Sequence, residues 1–369
     1  MFTLFDISLN CEVGAMICRS WDEGCFPKGH LYYGNDISSD HYCSDYTCSY
    51  IGYEDDEYYQ SSKEKLNRVR EPLKGVITLR NEHGQIIQAV IHDLIGSGTG
   101  SLAYLVNVDG ERRVLKQLFP EMLCNEYLID GASSGLIVRN TFYAKHMWKR
   151  RKKAFLKAAH LQIELSQVIQ LKDYVQPLMG IYTNKDTVCT LTKSFVGYSW
   201  DKHNDYSIRV LLRIIAEITR LVQYINDLGF LVVDIKPSNF AVSVGPSETV
   251  DVRLIDFGGI KRINSRGRYM FSTETCPKEY KSSNHKEIGT WSEVYSIVAM
   301  LVDRIFGHHQ LKRMECDILA LCKPKYYDWV YKHKEPFKQF VFHGLSEDHS
   351  TRIQNCHELM DYLIFFEEN

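Results

Sequence analysis

The sequence predicts an α+β protein in two lobes, a small antiparallel β lobe followed by a larger, mainly helical one, with an extra segment ahead of both. Three observations carry this. Residues 76–91 read as a hairpin around Asn81-Glu82-His83-Gly84, and Val114-Leu115-Lys116 is a further strand-like run. Residues 208–228 place Ile208, Leu211, Leu212, Ile215, Ile218, Leu221, Val222, Ile225 and Leu228 at helical spacing. A chain of 369 residues, 44% hydrophobic and 24% charged, can bury one large two-lobed domain and a smaller piece.

Taken in order, residues 1–75 are expected to form an extension or small module. Residues 31–60 hold eight Tyr, seven Asp or Glu and no Lys or Arg. They read either as an irregular module packing its tyrosines or as an acidic arm that folds onto a basic segment further on. Residues 76–195 are expected to form the β lobe, with a basic insertion near 120–157. Seven of the thirteen residues from Lys145 to Lys157 are Lys or Arg, none is acidic, and Met147, Trp148, Phe155 and Leu156 are interleaved. That pattern fits a solvated helix face, or a dock for an acidic or otherwise anionic partner. Residues 196–369 are expected to form the helical lobe. Its first helix, 208–228, stops at Gly229; an apolar helix over 295–306 and an amphipathic one over 351–366 follow.

Charge and cysteine usage mainly exclude. The chain has 44 basic against 46 acidic residues, which speaks against a dedicated nucleic-acid binder. Its eleven cysteines include five within residues 11–48, yet Cys11, Cys18 and Cys25 are seven apart and Cys43 and Cys48 five apart, with no Cys-x-x-Cys pair. Free thiols in a reducing compartment are expected. No run of eighteen apolar residues occurs, so no transmembrane segment is expected. The expected location is cytoplasmic; the sequence does not separate a resident of its own cytoplasm from a protein delivered into a host's.

The chemistry is concentrated in Val233-Asp234-Ile235-Lys236-Pro237-Ser238-Asn239, followed seventeen residues on by Asp256-Phe257-Gly258. Each motif follows an apolar strand-like run, Phe230-Leu231-Val232-Val233 and Val252-Arg253-Leu254-Ile255. Two carboxylates and an amide at this spacing suit phosphoryl transfer. Asp234 would orient an attacking hydroxyl and take its proton, Asp256 and Asn239 would hold Mg²⁺ through oxygen, and Lys236 would neutralise the phosphoryl group in flight. Upstream, Gly96-Ser97-Gly98-Thr99-Gly100-Ser101 is a Gly-rich turn able to offer backbone N–H groups to phosphates. Lys116, twenty residues after Gly96, would contact the α/β-phosphates of ATP and be held by a helix glutamate, Glu164 or Glu126.

These motifs, in this order over residues 91–365, resemble the eukaryotic-type protein kinase family. Asp234-Ile235-Lys236-Pro237-Ser238-Asn239-Phe240-Ala241 resembles the catalytic loop of serine/threonine kinases, and of the casein kinase one group in particular. Cys276-Pro277-Lys278-Glu279 is similar to the family's Ala-Pro-Glu motif, Glu293 stands where the family has Asp, and Arg352 stands where its Arg pairs with the motif's glutamate, here Glu279. The resemblance implies a two-lobed kinase fold, ATP and Mg²⁺ as cofactors, a protein substrate, and Ala103, Val114 and Ala241 around the adenine ring. It departs from the family at Val232-Val233, which replace His-Arg, so that activation by loop phosphorylation is not expected. Ser272, Thr273 and Thr275 remain candidates for autophosphorylation. The rival readings are a pseudokinase scaffold and a kinase-fold enzyme doing nucleotidyl transfer or small-molecule phosphorylation.

Overall fold

In the computed structural model, the described residues are 15–17, 31–33, 75–98, 100–120, 127–130, 135–138, 141–202, 205–265, 275–281, 287–307 and 318–368. The chain divides into two compact units: one takes residues 1–154 with Met179–Leu191, the other Phe155–Leu178 with Thr192–Asn369.

In the first unit, strands β1 (Ala15–Ile17) and β2 (Leu31–Tyr33) pair antiparallel. Strands β3 (Gly75–Asn81), β4 (Ile86–Ser97), β5 (Ser101–Val108) and β6 (Glu111–Leu118) form a meander. With β9 (Leu178–Asn184) and β10 (Thr187–Lys193) they close a barrel in the order β10-β6-β5-β4-β3-β9. The sheet is antiparallel as expected, and its closure pairs the strands that would otherwise be its edges. The turns follow from side chains. Asn81 Oδ1 accepts the His83 and Gln85 N–H groups at 3.1 and 2.8 Å, and Gly84 sits at φ +80°. Asp109-Gly110, both at positive φ, makes the two-residue turn from β5 to β6 that suits strand twist. On β5 alternate residues Leu102, Tyr104, Val106 and Val108 are buried. Ile77, Leu79, Ile91 and Leu115 of β3, β4 and β6 are buried as well, and the alternation along β5 is the period of two that a one-sided sheet requires.

A short hairpin, β7 (Tyr127–Asp130) with β8 (Gly135–Val138), follows, and then helix α1 (Phe142–Ser166). The basic segment therefore lies inside a 25-residue helix, beginning three residues after its start.

The second unit is built on helix α2 (Ile208–Asp227), whose Ser207 hydroxyl caps the Val210 N–H at 3.2 Å and whose end is turned by Gly229 at φ +79°. Its apolar face packs on strand β14 (Val250–Leu254), on helix α3 (Thr290–Phe306) and on helix α7 (Cys356–Glu368). Strands β11 (Tyr198–Ser199), β13 (Phe240–Val244) and β14 form a small sheet, and β12 (Phe230–Leu231) pairs with β15 (Lys261–Arg262). Between α3 and α7 lie α4 (Ile318–Leu321), α5 (Tyr327–Lys332) and α6 (Lys334–Gly344). Phe337, Phe340 and Trp329 meet Phe366 of α7 edge-on, with centroids 5.4–5.7 Å apart. Two boundaries shift from expectation. The final helix starts at Cys356 rather than 351, since Arg352 and Ile353 are committed to buried contacts, and the central helix starts five residues early, at Thr290.

Candidate active site

The catalytic loop begins where β12 ends. Val233 adopts φ 61°, Asp234 N–H returns to the Val232 carbonyl at 2.8 Å, and Ile235 N–H to the Val233 carbonyl at 3.0 Å. A β-branched residue at positive φ is strained, by roughly 1–3 kcal/mol. Glu293 of α3 holds it: one carboxylate oxygen accepts the Val232 and Val233 N–H groups, and the other accepts Asn226 Nδ2 at 2.6 Å. Asn226, in the last turn of α2, also donates to the Phe230 carbonyl at 2.9 Å, so the helix end, the strand and the loop share one polar clasp. Burial pushes the Glu293 carboxyl up to about 7, against the pull of its donors Asn226, Val232 and Val233.

The turn aims Asp234 at its partners. Asn239 Nδ2 donates to the Asp234 backbone carbonyl at 2.7 Å and to its Oδ2 at 3.0 Å, and Lys236 Nζ stands 2.9 Å from the same Oδ2. The other oxygen, Oδ1, is buried and accepts no hydrogen bond from the described residues. One side of the carboxylate is thus fixed by an amide and an ammonium, and the other has no donor among the described residues. Asp256 follows β14, and Ile255 N–H donates to the Asn239 carbonyl at 3.0 Å, so the two residues expected at the metal lie on adjoining backbone. Asp256 Oδ1 accepts the Gly258 N–H at 2.9 Å. Gly259 closes the junction: a Cβ there would stand 2.8 Å from Asp234 Cβ and 2.9 Å from the Val232 carbonyl. Asn239, whose amide nitrogen serves Asp234, keeps its amide oxygen for a hard cation, and with the Asp256 carboxylate this oxygen set fits Mg²⁺.

The segment after these motifs is anchored. Glu279 and Arg352 form an ion pair at 2.6 Å, their side chains 3% and 0% exposed, and Ser292 Oγ donates to the same Glu279 oxygen at 2.7 Å. Arg352 also donates to the Ser346 carbonyl through Nε and NH2 at 2.9 and 2.7 Å. Thr275 is buried and donates its hydroxyl to the Ile235 carbonyl at 2.8 Å. It therefore braces the loop and offers no accessible hydroxyl for phosphorylation, contrary to expectation; Ser272 and Thr273 lie outside the described residues.

In the first unit, Gly96 pairs with Ala103, Ala103 with Lys116, and Leu105 with Val114. Register partners share a face, so Gly96, Ala103, Val114 and Lys116 lie together on the half-exposed side of β4, β5 and β6. The Gly-rich turn is held by Gly98 N–H to the Ser101 carbonyl at 2.9 Å and by Phe119 N–H to the Gly100 carbonyl at 3.0 Å. Thr99 and the Ser97 side chain lie outside the described residues, as does Glu126. Glu164 is exposed on α1, and Ala241 of β13, in the second unit, is buried opposite Arg253 and Ser199. Sequence reasoning missed the Asn226–Glu293 clasp, the Thr275 brace and the role of Gly259, of which only the second glycine of Asp256-Phe257-Gly258-Gly259 was visible as a signal.

A two-lobed protein kinase is the class of protein that this fold and loop arrangement define. The family model described as protein kinase domain matches residues 137–364, and the chain belongs to that family. It is 30% identical over 160 residues to a probable serine/threonine-protein kinase of Dictyostelium discoideum, a match covering 40% of this chain and 32% of that protein, so the chain spans about a third of its curated relative. Among solved structures it resembles PpkA-294 in its apo form, at 15% identity and TM-score 0.55, over 74% of this chain and 95% of that one. It is also similar to the PknI kinase domain of Mycobacterium tuberculosis, at 15% identity and TM-score 0.49, over 75% and 95%. No described helix is long and apolar enough to cross a membrane.

Proposed function

We propose that the chain is an ATP- and magnesium-dependent kinase that transfers the γ-phosphoryl group to a serine or threonine hydroxyl of a protein. The observation that carries this is the Asp234 carboxylate, with Oδ2 held by Asn239 and Lys236, Oδ1 lacking a donor among the described residues, and the side chain 15% exposed. An unmet acceptor costs about 1–3 kcal/mol, and a substrate hydroxyl donating to the carboxylate would help offset that cost during the reaction.

The remaining residues take roles their chemistry suits. Bound Mg²⁺ would neutralise charge on the phosphate oxygens, with Asp256 and Asn239 as its ligands. Lys236, salt-bridged to Asp234, would offset charge on the phosphoryl group that the attacking hydroxyl receives. Gly96, Ser97, Gly98, Thr99, Gly100 and Ser101 offer backbone N–H groups to phosphate, Lys116 contacts the α/β-phosphates, and Ala103, Val114 and Ala241 present apolar surface to adenine. Glu164 is our choice to orient Lys116. The Lys236-Pro237 pair, in a loop that resembles the casein kinase one group, supports a protein acceptor and a serine/threonine one.

The test is to incubate wild type and Asp234→Asn with Mg²⁺ and ATP labelled at either the γ or the α phosphate, with generic protein acceptors. Wild-type-only γ-label on protein is expected. Label from the α position would mean nucleotidyl transfer, and none from either would favour a scaffold.

A further inference from the structure

Helix α1 carries a charged face that the proposed chemistry does not use. Lys145, Lys149, Lys153 and Lys157 recur every fourth residue, with Arg150 beside them, and all five are exposed. Residues four apart stack on one side of a helix, so like charges there repel along its whole length. The opposite side, with Ala144, Met147, Trp148 and Ala159, is buried and holds the helix in place. No Asp or Glu occurs between Asp130 and Glu164, and none of the five cations has an ion-pair partner among the described residues. The stripe is about 18 Å long, at 1.5 Å per residue. Phe142, 88% exposed, stacks on His146 at its start.

The same chain holds the complementary block. Between Asp36 and Glu57 lie seven acidic residues and no Lys or Arg, four of them consecutive from Glu54 to Glu57, against seven Lys or Arg between Lys145 and Lys157. The chain as a whole is close to neutral, at net −2, so two opposite blocks of equal size are segregated within it. The seventeen residues from 58 to 74 separate the acidic block from β3, a separation of at most about 60 Å at 3.3–3.6 Å per residue, so the two blocks are held together in one chain.

We infer that the basic face of α1 is a docking surface for the acidic segment 36–57 of the same chain. The proposed contact is electrostatic, between carboxylates of that segment and the exposed lysine row, and it leaves the buried side of the helix undisturbed. Its strength follows ionic strength, because the screening length falls from about 10 Å at 0.1 M salt to about 3 Å at 1 M.

Zero-length carbodiimide cross-linking of the full chain tests this, since it joins a lysine to a carboxylate only when the two are in contact. An equal mixture of isotopically light and heavy protein separates intrachain from interchain products. Expected are intrachain links between segment 36–57 and Lys145, Lys149, Lys153 or Lys157, reduced about tenfold or more in 1 M salt as screening predicts. Links through residues 54–57 should be lost, and those through Asp36, Asp40 and Asp45 should weaken, when Glu54, Asp55, Asp56 and Glu57 become Lys; all should be lost when the four helix lysines become Glu, and links between 54–57 and the helix should return when both sets are exchanged. If the helix variant does not fold, the acidic-side variant, which leaves both units' described residues untouched, decides alone. Absent links, purely interchain links, or links through Asp36, Asp40 and Asp45 left undiminished by the acidic-side change would overturn the inference. So would equal binding of phosphatidylserine vesicles by wild type and a variant in which Glu54, Asp55, Asp56 and Glu57 become Gln or Asn, because a stripe already covered should be unmasked by that neutralisation.

Discussion

Val233 is the residue on which the catalytic loop turns, and it is poorly suited to its own conformation; it stays at φ 61° because Glu293 takes its N–H and that of Val232. Glu293→Ala should cost about 3 kcal/mol or more, since three buried donors lose their acceptor at once, and chemical denaturation would show it. The same carboxyl predicts a pH dependence. An ordinary glutamate releases its proton near 4.5, and Glu293 does so near 7. Between those values the folded chain keeps a proton the unfolded chain has lost. The contribution to stability is therefore full below the lower value, falls as pH rises, and levels off above the higher one, a span of roughly 3 kcal/mol. Urea unfolding of wild type and Glu293→Gln across that window should show the difference between them shrinking; a constant difference would mean the folded carboxyl is already ionised at the lower end. At Asp234, replacement by Asn should lower kcat by about 10²–10⁴ with the melting temperature unchanged or raised, which separates the loss of a base from a loss of fold.

Among the elements, two glycines with different surroundings give different expectations. Gly229 ends α2 at φ +79° with open space around it, so Gly229→Ala should cost only the conformational penalty, about 1 kcal/mol, with activity kept. Gly259 has a close neighbour instead: a Cβ would press on Asp234 Cβ at 2.8 Å and on the Val232 carbonyl at 2.9 Å. Gly259→Ala should therefore move the catalytic loop, lowering phosphoryl transfer at least about tenfold while costing about 1–3 kcal/mol. Parallel thermal unfolding and rate measurements on the two variants distinguish a cap from a contact. Helix α2 was legible beforehand because its apolar residues are periodic and its stop is a glycine, both local signals. The length of α1 was not: a basic stretch without apolar periodicity reads as an insertion until Met147, Trp148, Ala159 and Leu165 are seen buried along one side of the same helix that carries Glu164.

At the scale of the molecule, the second unit is tied together by the Glu279–Arg352 pair, which links the segment after the catalytic motifs to the residues just before α7. Both side chains are out of water, and Arg352 also stands 5.0 Å over the Tyr295 ring. Removing one partner strands a buried charge, so Arg352→Ala should cost about 3–5 kcal/mol, whereas Glu279→Met with Arg352→Met should cost far less. Melting temperatures of the two variants check this. The pairing was expected from the resemblance of these positions to a known motif, and the distance of 2.6 Å bears it out.

By itself the sequence determined the residue types and their order: a Gly-rich turn, a lysine on a strand, Asp234 with Lys236 and Asn239, then Asp256, with the hairpin of residues 76–91 and the helix that ends at Gly229. Such features are written in periodicity and spacing, which act over a few residues. Tertiary structure alone decided that the β strands close into a barrel, that Thr275 is a buried brace, and that Glu293 holds the strained turn before Asp234. The physical reason is separation: Val233 and Glu293 are sixty residues apart, and a contact at that distance leaves no local pattern, only a buried carboxylate meeting the donors that satisfy it.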